Sequence, residues 1–252
     1  MTGLAQIKPT IEFEFESVAL SDVGKVRKVN EDRVLEHPDA GLWAVADGMG
    51  GHRAGDVAAT RLIDTLAGVR HTGSGYACLA DMVSSVEQVN AEIFCGQIRA
   101  NLAPSGTTLV ALLVHEEHYA CIWAGDSRAY LIRNGAITAI THDHSLVQDL
   151  VDQGLIPEAS RRLHPQAHVI SRAVGSSSTI ELDRRFGVVA EGDVFLLCSD
   201  GLTACMDDHE LAEAFQVGEL TRAAEALMAR ALARQAADNV SFVAVRASAA
   251  KR

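Results

Sequence analysis

No stretch of this sequence approaches the roughly 18–20 consecutive apolar residues that a membrane span needs, and residues 1–16 lack a basic start followed by an apolar core. Both a membrane span and a secretion signal are therefore excluded as readings, and Glu12, Glu14 and Glu16 reinforce the second exclusion. The five cysteines (Cys78, Cys95, Cys121, Cys198, Cys205) are odd in number and scattered, with no Cys-x-x-Cys, which fits free thiols in a reducing compartment and a cytoplasmic protein. No cysteine opens a Cys-x5-Arg loop, which argues against a covalent thiol mechanism. Positive charge is also short. Lys and Arg number 22 against 33 Asp and Glu, a net charge of −11 that disfavours nucleic acid as a partner. There are no internal repeats and no linker that would separate two domains.

The 252 residues are enough for one large domain with a full core. Glu12 to Leu20 alternates like a half-buried strand, and Leu42 to Ala46 reads as a buried one. From Ala54, the positions Val57, Ala58, Leu62, Ile63 and Leu66 share one helical face. Leu79, Val83, Val86, Val89 and Ile93 form the stripe of a second helix. Thr107 to Val114 and Tyr119 to Trp123 form a hairpin. Ala129 to Ile132 and Ala136 to Ile140 form another around Arg133-Asn134-Gly135. Thr141 to Gly175 is irregular, with a short helix at Ser145 to Asp152 closed by Gly154. Strands at Ile180 to Val189 and Val194 to Cys198, helices at Leu211 to Phe215 and Leu220 to Arg234, and a last strand at Val240 to Val245 complete the chain. Antiparallel meanders and helices in separate runs predict an α+β fold: an antiparallel β-sandwich flanked by antiparallel helix pairs, with an inserted flap.

A carboxylate recurs where strands end. Asp47 follows Leu42-Trp43-Ala44-Val45-Ala46 and precedes Gly48-Met49-Gly50-Gly51. Gly125-Asp126 and Ser199-Asp200-Gly201 close two more strands, Asp238 precedes the last, and Glu31-Asp32 lie one loop beyond the first. An Asp beside Gly is ordinarily a turn residue. If these strand ends meet at one rim, however, up to six carboxylates converge and repel, and hard divalent cations relieve the conflict. The all-oxygen donor set points to Mg²⁺ or Mn²⁺ and not zinc. Two such ions can activate a bridging water for in-line attack on phosphorus.

Six motifs stand in an order that resembles the metal-dependent Ser/Thr phosphatases of the PP2C (PPM) family. They are Arg27-Lys28-Val29-Asn30-Glu31-Asp32, Asp47-Gly48-Met49-Gly50-Gly51, Ser105-Gly106-Thr107-Thr108, Gly125-Asp126-Ser127-Arg128, Ser199-Asp200-Gly201-Leu202 and Asp238-Asn239. Thr141-His142-Asp143-His144-Ser145 and His164-Pro165 through Gly175 are similar to the flap of bacterial members. The resemblance covers about Glu14 to Val245 and implies a PP2C-like domain over residues 11–247, with a flap at about 141–176 and flexible termini at 1–10 and 248–252. It implies that Asp47 bridges two Mn²⁺ or Mg²⁺ ions, with Glu31 and the Gly48 carbonyl on one and Asp200 and Asp238 on the other. Asp32 would act nearby or through water. Asp126 with Asp200 would form a third site, and Arg27 would clamp the substrate phosphate. Where some relatives carry a His after Asp-Gly, this chain has Met49, so His52 becomes a possible general acid, with helix capping its alternative role.

The resemblance further implies a metal-dependent hydrolase of phosphoserine and phosphothreonine that acts through a metal-activated water without a phosphoenzyme. Its partners would be phosphoprotein substrates and a cognate Ser/Thr kinase, and it would be monomeric. A partner-switching phosphatase shares the chemistry, while a phosphoprotein-binding pseudophosphatase would lack metal ligands that are present here. In the flap, His144, Arg161, Arg162 and His164 could meet substrate as a group. Individually, Asp143-His144-Ser145 reads as a helix cap and His164-Pro165 as a turn.

Overall fold

A computed structural model describes residues 12–50, 54–70, 73–101 and 103–250. In chain order come β1 (Phe13–Asp22), β2 (Asp32–His37), β3 (Leu42–Met49), α1 (Ala54–Ala67), α2 (Gly75–Ala100), β4 (Gly106–Thr107), β5 (Leu109–His115) and β6 (His118–Ala124). They are followed by β7 (Arg128–Arg133), β8 (Ala136–Ala139), α3 (Leu146–Asp152), β9 (Asp183–Val188), β10 (Val194–Cys198), α4 (Asp200–Cys205), α5 (Asp208–Ala214), α6 (Leu220–Ala233) and β11 (Val240–Ala249). The strands form two antiparallel sheets, ordered β1-β11-β10-β7-β8 and β2-β3-β5-β6-β9, with β4 paired to β3.

Strand alternation explains why so many strands read as unbroken apolar runs. In β3, Leu42, Ala44 and Ala46 face α1 and α2, while Trp43 and Val45 face the other sheet. In β10, Phe195 and Leu197 point between the sheets, whereas Leu196 and Cys198 point at α4 and α6. Each central strand is thus buried on both faces, which removes the polar half of the usual alternation. The result is a helix–sheet–sheet–helix stack, the expected α+β sandwich. Phe195 and Tyr119 meet edge-on between the sheets at 5.0 Å. Asn134 and Gly135, at φ of 53° and 79°, form the β7–β8 turn as the Asn-Gly signal required.

Several expectations are corrected. β2 has no counterpart among the expected strands: Asp32-Arg33-Val34-Leu35-Glu36-His37 is an edge strand whose charges break the period-2 signal. β1 extends to Asp22 and β11 to Ala249, because the two pair in register over their whole length, from Phe13↔Ala249 to Asp22↔Val240. The strand at 42–46 continues through Asp47 to Met49, because Gly48 and Met49 pair with β4. The run Thr107 to Val114 divides at Thr108, and Ile180 to Val189 is strand only at Asp183–Val188. Val57 is exposed, so α1 buries Ala58, Ala59, Leu62, Ile63 and Leu66 instead. The second helix is much longer than its stripe, running from an N-cap at Ser74 to a left-handed C-cap at Asn101. No helix of the described residues is long and apolar enough to cross a membrane.

Phe195 is fully buried between the two sheets. Phe195→Ala is expected to cost about 3–5 kcal/mol through lost burial and a residual cavity, read as a lowered urea midpoint. An unchanged midpoint would contradict the placement of this core.

Candidate active site

Strand polarity decides where the carboxylates meet. The end of β6 pairs with the start of β5 (Ala124↔Leu109), beside the Asp47 end of β3. In the other sheet, the end of β10 lies opposite the starts of β7 (Cys198↔Arg128) and β11 (Cys198↔Phe242). The chain crosses from one sheet to the other through Gly125-Asp126-Ser127, so these rims are a single rim. Asp32, Asp47, Asp126, Asp200 and Asp238 gather there. Asp32 and Asp47 are direct cross-strand partners.

Neutral groups hold these acids in place. The Thr108 hydroxyl accepts the Asp47 N–H at 3.0 Å and shares a 2.7 Å hydrogen bond with the Ser127 hydroxyl. The Ser199 hydroxyl donates to Asp32 Oδ2 at 2.8 Å and accepts the Ser241 N–H at 3.1 Å. Asn239 organises the loop after β1: its Nδ2 donates to the carbonyls of Val23 and Val29, and its Oδ1 accepts the Glu31 N–H at 2.9 Å. Two glycines are needed for space or conformation. A Cβ at Gly48 would lie 2.3 Å from the Gly55 carbonyl oxygen and 2.7 Å from that of Glu31. Gly125, at φ +113°, turns against Thr108, where a Cβ would lie 2.7 Å from the Thr108 side chain. Gly48 therefore lets the start of α1 pack onto β3, a reason for glycine that proximity to an ion does not supply.

Electrostatics follow from the convergence. Burial, then Asp32, Asp200, Asp126 and Asp238, push the Asp47 carboxyl well above its ordinary range. Burial, then Asp200, raise Asp126 to about 8, although Arg128 opposes this. Burial raises Asp32 to about 6 despite hydrogen bonds from Ser241 and Ser199. Burial and Asp238 raise Asp200, offset in part by His168 and Arg27. Arg27 Nη2 donates to Asp238 Oδ2 at 2.7 Å, and its guanidinium is about half exposed.

Among the described residues, no three His, Cys, Asp or Glu side chains are drawn into a ready-made metal cage. Asp32 Oδ1 and Asp126 Oδ1 are buried without a hydrogen-bond partner, a costly condition that a hard cation would relieve. Oxygen donors of this kind fit Mg²⁺ or Mn²⁺.

The model of the family "protein phosphatase 2C" matches residues 19–149. The chain is 39% identical over 226 residues to the serine/threonine protein phosphatase PstP of Mycobacterium tuberculosis, covering 89% of this chain. The chain belongs to the protein phosphatase 2C family. It spans 43% of the length of that PstP sequence. The solved structure of PppA from Pseudomonas aeruginosa, described as a regulatory component of T6SS, superposes with a TM-score of 0.85 at 40% identity, covering 92% of this chain and 97% of that one. The catalytic domain of PstP in complex with two manganese ions superposes with a TM-score of 0.84 at 36% identity, covering 94% and 99%.

In this PP2C chain the rim brings together Arg27, Glu31, Asp32, Asp47, Gly48, Asp126, Asp200 and Asp238. His52 lies outside the described residues. Met49 lies against Gly106. In the flap, Ser145 caps α3 by accepting the Gln148 N–H. Asp143 holds Arg128 through bonds of 2.8 and 2.7 Å. His144 is buried, accepts the Gly125 N–H on Nδ1 at 3.1 Å and lies parallel to Trp123, so it shapes the rim. His164 Nδ1 accepts the Gln166 N–H in the expected turn. Sequence reasoning gave no role to Thr108, Ser199, Ser241 or Asn239. Their one available signal is that Thr108, Ser199 and Asn239 lie inside the six motifs.

A carboxyl raised by folding keeps in the folded state a proton that the unfolded chain has released. Folding stability in chelator should therefore fall as pH rises from about the ordinary 3.8 through the raised value of about 8 at Asp126. Urea midpoints in EDTA are expected to be lower at pH 8 than at pH 5, with a smaller drop in Asp126→Asn. An equal drop in that variant would show that Asp126 is not its source.

Proposed function

We propose that this protein is a metal-dependent protein serine/threonine phosphatase. The observation that carries the reading is the crowding of five aspartates at one rim, two of them with a buried, unpartnered oxygen. Family membership and the manganese-bound PstP structure support it.

Asp47 is central to the rim and would bridge two Mn²⁺ or Mg²⁺ ions. Glu31 and the Gly48 carbonyl would serve one ion, Asp200 and Asp238 the other, and Asp32 would act beside them or through water. Asp126 and Asp200 would hold a third ion. When bound, such ions acidify a water for attack on phosphorus and neutralise charge on the phosphoryl group. Arg27 keeps N–H groups beyond its contact with Asp238, and these would grip the phosphoryl oxygens and orient the ester for in-line displacement. Thr108, Ser199 and Asn239 would fix the carboxylates without neutralising them. His52 would deliver the proton to the departing serine or threonine alkoxide.

Phosphoprotein substrates and a cognate Ser/Thr kinase are the proposed partners. The five cysteines make no disulfide, which supports a cytoplasmic setting. We assign residues 11–247 to one monomeric phosphatase domain with a flap at about 141–176.

Turnover of p-nitrophenyl phosphate and of phosphothreonine peptides should require Mn²⁺ or Mg²⁺ and vanish in chelator. Asp47→Asn should lose more than about a hundredfold, beyond the loss typical of a residue that only supports a metal ligand. Full activity in chelator, or in that variant, would sink the proposal. Arg27→Ala should lower kcat/KM by roughly tenfold to a hundredfold, as expected for lost charge-assisted hydrogen bonds. A variant with unchanged KM and kcat for phosphopeptide would remove Arg27 from the phosphate site.

A further inference from the structure

A cavity of 160 Å³ lies between α4 and the flap, and its lining is chemically mixed. Asp126 and Asp200 share it with Arg162 and His168. Its volume is many times what one water needs, so it can admit the head of a charged side chain.

The three arginines that line it are not equivalent. Arg128 is committed to Asp143 by two bonds and to the Tyr130 hydroxyl at 3.0 Å. Arg161 is committed to Asp143 at 3.5 Å, to Glu158 at 3.2 Å and to Gln148. Arg162 makes one hydrogen bond, to the Met206 carbonyl at 3.3 Å, and no ion pair among the described residues. Most of its planar fork of donors therefore remains available for an anion. His168 lines the same cavity and adds a ring nitrogen to it.

Charge points the same way. The lining carries Arg128, Arg161 and Arg162 against Asp126, Asp143 and Asp200, which balance. Divalent cations held by Asp126 and Asp200 in their proposed role would leave the cavity net positive, with Arg162 its uncommitted cation.

We propose that Arg162, aided by His168, forms a second anion subsite that receives an acidic or phosphorylated side chain close in sequence to the scissile phosphoserine or phosphothreonine. The inference rests on the phosphatase reading and adds substrate preference to it: peptides with a second anion near the phosphorylated residue are favoured. The cavity shares Asp200 with the proposed metal site. An extended peptide advances about 3.3 Å per residue, so the second anion belongs within a few residues of the first.

The test uses fluorescent peptides carrying a non-hydrolysable phosphonate analogue of phosphothreonine. One residue, from four before to four after it, is varied among Gln, Glu and phosphoserine. Binding to the Mn²⁺-loaded full chain is read by anisotropy, and p-nitrophenyl phosphate turnover is measured in parallel. At one or two neighbouring positions, Glu or phosphoserine should tighten binding about tenfold over Gln. Whichever binds more tightly identifies the source of the anion. Arg162→Ala should abolish that preference while p-nitrophenyl phosphate turnover stays within about twofold. A preference absent from every position, one that survives in Arg162→Ala, or a parallel loss of p-nitrophenyl phosphate turnover would overturn the subsite. The preference itself is a binding readout. If it appears without Mn²⁺-dependent turnover, the subsite stands and the phosphatase reading fails.

Discussion

Repulsion among like charges is the constraint on which this site depends. Asp32, Asp47, Asp126, Asp200 and Asp238 are brought to one rim by strands that three apolar layers hold firmly. The chain itself supplies few counter-charges there. Arg27 reaches Asp238 from a half-exposed position, and Arg128 opposes the raised Asp126 while committed to Asp143. Such an arrangement is costly without cations and favourable with them.

The supports around the acids are consistent with that constraint. Thr108, Ser127, Ser199, Ser241 and Asn239 are neutral: Thr108, Ser199 and Asn239 satisfy backbone or carboxylate groups, and Ser127 and Ser241 bond to the hydroxyls of Thr108 and Ser199, without contributing a positive charge. An arginine or lysine in those places would pair with the acids and compete with metal. Hydroxyls and amides fix geometry while leaving the negative potential intact. Asn239 extends this logic to the loop that carries Arg27 and Glu31, since one side chain accepts from Glu31 and donates to the carbonyls of Val23 and Val29.

The flap is joined to the rim by charge and by packing. Asp143 lies between Arg128, on the first residue of β7, and Arg161, in the flap's short 3-10 helix. His144 braces Gly125 and stacks on Trp123. These contacts leave Arg162 as the less committed arginine of the cavity that Asp200 also lines. A segment that read as irregular in sequence thus acts as a wall of the site.

Much of the sandwich and most of the acid set were legible in the sequence, because they rest on local signals. Apolar runs mark strands buried on both faces, Asn134-Gly135 marks a hairpin, and Asp next to Gly marks strand ends. What tertiary structure alone decided was partnership. β2 is a strand because β3 pairs with it, despite three charged or ionisable residues among its last five. The strand at 42–46 reaches Met49 only because β4 lies alongside. Gly48 is glycine because Gly55 packs against it, a contact invisible in local sequence. Which hydroxyl holds which carboxylate, and which flap arginine stays uncommitted, depend on residues far apart in the chain, as Ser199 with Asp32 shows. Local patterning could name the acids. Their convergence, and hence their chemistry, required the register of two sheets closing on one rim.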